Sequence, residues 1–144
     1  MRTLCLAIIS LVLLASCEKK SDSTKPAGIF LCEGPKLTDS AEIIAALEGS
    51  WTLTHYTRPY TPVFINADKS ITAKFNADKS FEVKEKGSLI AEGTCSIRKY
   101  GTYFDLSTST ANEFIGGPIS ICGNNLLFSK SFFDGSDYLY AKAN

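Results

Sequence analysis

Three patterns of apolar and polar positions follow one another along the chain. Leu4 to Ala15 is an apolar run broken only by Ser10, preceded by Met1-Arg2 and followed at once by Glu18-Lys19-Lys20. The run is too short to span a bilayer as a helix, and its layout is that of a secretory signal over residues 1–16. Residues 18–28 (EKKSDSTKPAG) show no periodicity and predict a solvated, flexible tether. Ile29-Phe30-Leu31-Cys32 is short and apolar, and suits a strand-like arm packed on a domain spanning 29–144. Thr38-Asp39-Ser40 then supplies capping side chains ahead of AEIIAALEG. Glu42 suits the first turn, Ile43, Ile44 and Leu47 make an apolar stripe, and Gly49 stops a helix of two to three turns.

From Trp51 the period changes to two. Trp51, Leu53 and His55 alternate with Thr52, Thr54 and Tyr56; Ile71, Ala73 and Phe75 alternate with Thr72, Lys74 and Asn76; Phe81 and Val83 alternate with Glu82 and Lys84. Further strands are expected at Leu89–Arg98, Tyr103–Thr108, Ile119–Cys122, Leu126–Ser131 and Tyr138–Lys142. Turn residues separate them at 86–88, 100–101, 123–125 and 134–136. The expected fold class is all-β: an antiparallel up-and-down meander of eight strands, preceded by one short helix. Closure into a small barrel hides its apolar face and removes exposed edges.

Charge and chemistry narrow the function classes. Without residues 1–16, Cys17 to Asn144 carry 14 basic and 15 acidic side chains, a net of −1. That balance argues against nucleic acid as a partner, which demands a basic stripe. No cluster with metal-ligand spacing is present, no C-x-x-C pair occurs, and no glycine-rich phosphate loop opens a helix, so neither a metal nor a cofactor is expected. The single histidine, His55, has no accompanying nucleophile motif; alternation places it on the inward face with Trp51 and Leu53, as a hydrogen-bonded core residue rather than a catalyst. The words NADKS occur at 66–70 and again at 76–80, and both read as turns.

Leu14-Ala15-Ser16-Cys17 resembles the lipobox of bacterial lipoproteins. The resemblance implies that Cys17 is acylated, becomes the mature N-terminus and holds the protein to the membrane through its acyl chains. Several chains make that anchor durable, because each buried methylene adds about 0.8 kcal/mol. Glu18, in place of the Asp that retains enteric lipoproteins at the inner membrane, implies the cell envelope with the outer membrane preferred; the acidic and lysine-rich start also resembles surface-export signals. Leu47-Glu48-Gly49-Ser50-Trp51 resembles the G-x-W opening of lipocalins, and the hairpin FNADKSFEV, the GTCSI strand and the closing Tyr138–Lys142 resemble small lipocalin-like domains of bacterial lipoproteins. That likeness implies that Trp51 plugs the closed end of the barrel with Lys142 over it. The barrel region has only about ninety-five residues, which argues against a deep calyx. Such a barrel is only just wide enough to be filled by side chains or to hold one small ligand.

In a meander that starts at the Trp end, turns 76–80, 99–102 and 123–125 share the closed end with the helix. Connections 57–70, 86–88, 108–118 and 133–136 then gather at the open rim. Loops over a rigid scaffold are where binding usually resides, so Tyr56, Arg58, Tyr60, Phe64, Phe114 and Ile115 form the expected ligand or partner rim, or else pack to close the mouth. Parity brings Cys32, Cys95 and Cys122 toward the closed end. Cys95 and Cys122 flank one strand, about 9.5 Å apart, too far for a bridge; a Cys32–Cys122 disulfide is expected, with Cys95 inward. The function that follows is a membrane-anchored, non-enzymatic binding module that holds a small hydrophobic ligand or contacts an envelope protein. The alternative is a structural or interaction protein with a filled barrel, such as an accessory subunit or inhibitor.

Overall fold

The computed structural model describes Leu37 and residues 39–143. Helix α1 (Ser40–Leu47) is capped by Asp39, whose Oδ1 accepts a hydrogen bond from the Ala41 amide at 3.0 Å. Its buried side chains are Ile43 and Leu47. Nine strands follow: β1 (Gly49–Thr57), β2 (Phe64–Asn66), β3 (Ile71–Phe75), β4 (Ser80–Glu85), β5 (Ser88–Tyr100), β6 (Tyr103–Thr108), β7 (Gly117–Cys122), β8 (Asn125–Phe128) and β9 (Tyr138–Lys142). Consecutive strands from β3 to β9 pair antiparallel, β1 pairs with β3, and the β1–β9 pair closes an eight-stranded barrel. This architecture is compatible with a lipocalin-like fold.

The extra strand is β2. Where β3 leaves the edge of β1 at Thr52, β2 takes up the same edge from His55 to Thr57. The two are halves of one descending strand, interrupted at 67–70 and pinned there by the Ala67 amide donating to the Thr54 carbonyl at 2.8 Å. Alternation within 57–70 is too short to announce this segment as a strand.

Side chains fill the barrel. Trp51, Tyr140, Phe81, Phe128, Leu126 and Ile115 are fully buried. At the closed end Trp51 Nε1 donates to the Leu47 carbonyl at 2.7 Å, and Lys142 Nζ lies 5.3 Å from the Trp51 ring centroid. Gly49 joins helix to strand with φ +121, and a Cβ there would sit 3.2 Å from Lys142 Cε. Helix stop, plug and covering cation are thus one packed unit.

Two β-bulges correct the inward set that strict alternation gives. Register shifts between Leu53 and His55, where Thr54 is the extra residue, so the inward series continues at Tyr56 and not at His55. His55 instead faces Leu139 and Asn66 across the sheet, and among the described residues its Nδ1 has no hydrogen-bond partner. On β9 the inward residues are Tyr138 and Tyr140, which join the core cluster, while Leu139 lies buried outside it. The second shift, between Val83 and Lys84, makes Ile90 the extra residue; Ala91 turns inward and Leu89 is 49% exposed. One inserted residue reverses every later side chain on a strand.

Cys122 is disulfide-bonded, and Cys95 is a free, half-buried thiol packed against the core. Burial pushes the Cys95 thiol up, opposed by Lys79. Because Cys95 and Cys122 are the only cysteines among the described residues, the partner of Cys122 lies outside them, as do Cys32, Cys17, the signal segment and the tether. Among the described residues no helix is long and apolar enough to cross a membrane.

Candidate functional site: a cavity at the open rim

The interruption at 67–70 and the loop between β6 and β7 flank one opening. A cavity of about 190 Å3 lies between them. Leu53, Tyr56, Phe114 and Tyr138 form its apolar wall, and Asp68, Lys69, Glu113 and Ser136 its polar edge. Tyr56 and Tyr138 reach it because the bulge at Thr54 turns Tyr56 inward and the register sets it directly opposite Tyr138. Phe114 meets Tyr138 edge to face, with ring centroids 5.6 Å apart.

Phe114 is held from several directions. Its amide donates to Asn112 Oδ1 at 2.8 Å, and its carbonyl accepts from the buried Tyr140 hydroxyl at 3.1 Å. Lys130, on the connection between β8 and β9, extends Nζ beneath the same loop. It donates to the carbonyls of Glu113 (2.7 Å), Ile115 (2.9 Å) and Asn112 (3.3 Å), and lies 5.7 Å from the Tyr138 ring centroid. Charge-assisted bonds of this kind are worth about 1.5–3 kcal/mol each, so the loop is fastened rather than draped. The close approach needs Gly135, where a Cβ would meet Lys130 Cβ at 2.8 Å.

Burial pulls the Lys130 ammonium down to about 8, partly offset by Glu113. The Tyr138 phenol is raised, first by burial and then by the Glu113 carboxylate. Burial likewise raises Tyr140, so both hydroxyls stay protonated and available as donors well past neutral pH. At the cavity edge Lys69 Nζ stands 3.8 Å from Glu113 Oε1 and 5.2 Å from the Phe114 ring centroid. The arrangement can enclose a molecule the size of a single ring, offering aromatic faces inside and both signs of charge at the mouth. It lacks a nucleophile–base pair, and among the described residues no group of three His, Cys, Asp or Glu side chains is placed to hold a metal.

Of the six rim residues read from the sequence, the structure brings Tyr56 and Phe114 to the cavity. Ile115 is fully buried in the core beside Phe114. Phe64 opens β2 opposite Thr57, while Arg58 is exposed and Tyr60 is 84% exposed with φ +63. The polar edge and Tyr138 escaped sequence reasoning. Asp68 and Lys69 belong to the first NADKS, and parity already put connection 57–70 at the open rim; reading both copies as equivalent turns hid the difference. The second copy is the hairpin turn between β3 and β4, with Lys79 at φ +68 and Asp78 Oδ1 accepting from the Ser80 amide and hydroxyl. Comparison with family models, curated proteins and solved structures finds no match to this chain.

Proposed function

We propose that this protein is a lipoprotein of the bacterial envelope, anchored through Cys17, and that it binds a small molecule at the open rim of its barrel. The observation that supports binding is the 190 Å3 cavity with three aromatic walls above an otherwise filled interior. An engineered cavity of about 150 Å3 holds a benzene ring, so the ligand is of ring size and not a long acyl chain. The anchor rests on the resemblance of residues 14–17 to a lipobox, with the outer membrane preferred because residue 18 is Glu, and surface display the alternative suggested by the acidic and lysine-rich start. The binding is non-enzymatic on this reading.

Native mass spectrometry of the Cys17→Ser chain purified from its host tests the ligand. A stoichiometric small adduct, absent after the cavity is filled by Ser136→Trp, is expected. An empty barrel that co-purifies with one envelope protein sinks the ligand reading and favours the interaction module. That second reading draws on Tyr60 and Phe133, which are 84% and 70% exposed on open-rim connections. Fractionation tests the anchor: the unaltered chain should pellet with membranes and Cys17→Ser should not.

A further inference from the structure

We infer that the rim cavity selects a small organic ammonium ion, with its cationic head against Phe114, Tyr56 and Tyr138 and its charge answered by Glu113. This names the ligand class of the site proposed above and rests on that reading. The molecule already supplies a stand-in. Lys69 Nζ occupies the position an ammonium would take, 5.2 Å from the Phe114 centroid and 3.8 Å from Glu113 Oε1. A cation within about 6 Å of an aromatic centroid is attracted by the ring quadrupole, by about 0.5–1 kcal/mol at exposed sites and 2 or more when desolvated. Lys69 itself is half exposed, so its hold is at the weak end and a ligand cation seated deeper gains more.

The alternatives fit less well. Asp68 and Glu113 place two carboxylates at the mouth against the single ammonium of Lys69. An anionic ligand would meet both carboxylates. The other nearby cation, Lys130, does not line the cavity; three backbone carbonyls engage its ammonium, which lies 5.7 Å from the Tyr138 centroid, so the ligand's head faces Phe114 and Tyr56 first. A neutral ligand would have to compete with Lys69 for the Phe114 face without gaining from either acid. Three aromatic side chains with acids beside them are the surroundings that recognise alkylammonium groups elsewhere.

Two-dimensional NMR titration of the full chain carrying Cys17→Ser tests this, with choline as the probe and its uncharged isostere 3,3-dimethyl-1-butanol as the control. Choline should saturate and shift the ring resonances of Tyr56, Phe114 and Tyr138, and the isostere should bind at least tenfold more weakly. Glu113→Gln should weaken choline several-fold. Lys69→Ala should tighten it, because the internal competitor is gone; both side chains are well exposed, so both variants should fold. Equal binding of choline and the alcohol overturns the ammonium inference while leaving a rim pocket in place. Loss of binding in Lys69→Ala overturns it too, since Lys69 would then be a ligand contact. Failure of both probes to bind, together with an empty cavity in native mass spectrometry, removes the inference and the rim-binding reading alike.

Discussion

Lys130 combines two effects with opposite signs: its ammonium fastens the 112–115 loop, yet burial holds it at about 8 against an ordinary 10.5. Between about pH 8 and 10.5 the unfolded chain therefore keeps a proton here that the folded chain has released, so Lys130 contributes a stability that rises with pH, opposed by Cys95, whose raised thiol stays protonated while the unfolded thiol ionises. One full proton corresponds to about 1.4 kcal/mol per pH unit, and the slope is reduced here because solvent still reaches the side chain. Above about pH 10.5 only the opposing sign remains. Tyr138 and Tyr140, raised by burial, stay protonated while unfolded tyrosines ionise. Urea unfolding at pH 7.5, 8.5 and 9.5 checks this: the parent should gain stability relative to Lys130→Met as pH rises, and parallel profiles would count against the buried ammonium. The two NADKS copies make the complementary point. Their side chains are the same, but Lys79 sits at positive φ in a hairpin turn and Lys69 points over an aromatic ring at the mouth. Residue identity set the turn propensity; what lies across the opening set the use.

Among the elements, the bulge in β1 decides most. Without Thr54 as an extra residue, Tyr56 would face solvent and the cavity would lose a wall; with it, His55 is turned outward against Leu139. Nothing in Thr52-Leu53-Thr54-His55-Tyr56 announces a bulge, because the partner strand and its register impose it. The closed end was far more legible. A glycine between a helix stripe and an alternating strand has few other uses, and the structure gives it two, a φ of +121 and contact with Lys142. Gly49→Ala should cost about 1–3 kcal/mol, read as a shift in the urea midpoint at unchanged slope. Since Lys142 must also move, Trp51 fluorescence should change in the folded state. A variant as stable as the parent would show that the joint between helix and barrel relaxes freely.

For the whole molecule, a filled interior turns the barrel from a container into a platform. Phe128 packs edge to face with Tyr140 at 5.9 Å, both fully buried, and the sheet register sets Phe128 directly beside Tyr138 of the cavity wall. Phe128→Ala should cost about 3–5 kcal/mol, the range for aromatic truncation in a packed core. It should also weaken choline binding at the rim, measured by the same NMR titration, because Tyr138 loses its neighbour and Tyr140, which holds the Phe114 carbonyl, loses its packing. A cost below about 1 kcal/mol would mean the interior is loosely packed and could admit a larger guest. The sequence by itself determined the all-β class, the helix ahead of the barrel, the order of the eight barrel strands and the end at which each connection lies, because strand periodicity and turn chemistry are local and a meander leaves parity little choice. Only the tertiary structure decided which side chains line the cavity. The bulges at Thr54 and Ile90 depend on register between strands, and the capture of the 112–115 loop depends on Lys130 and Tyr140 arriving from later in the chain. Those contacts are long-range, and no window of sequence short enough to show a period contains both partners.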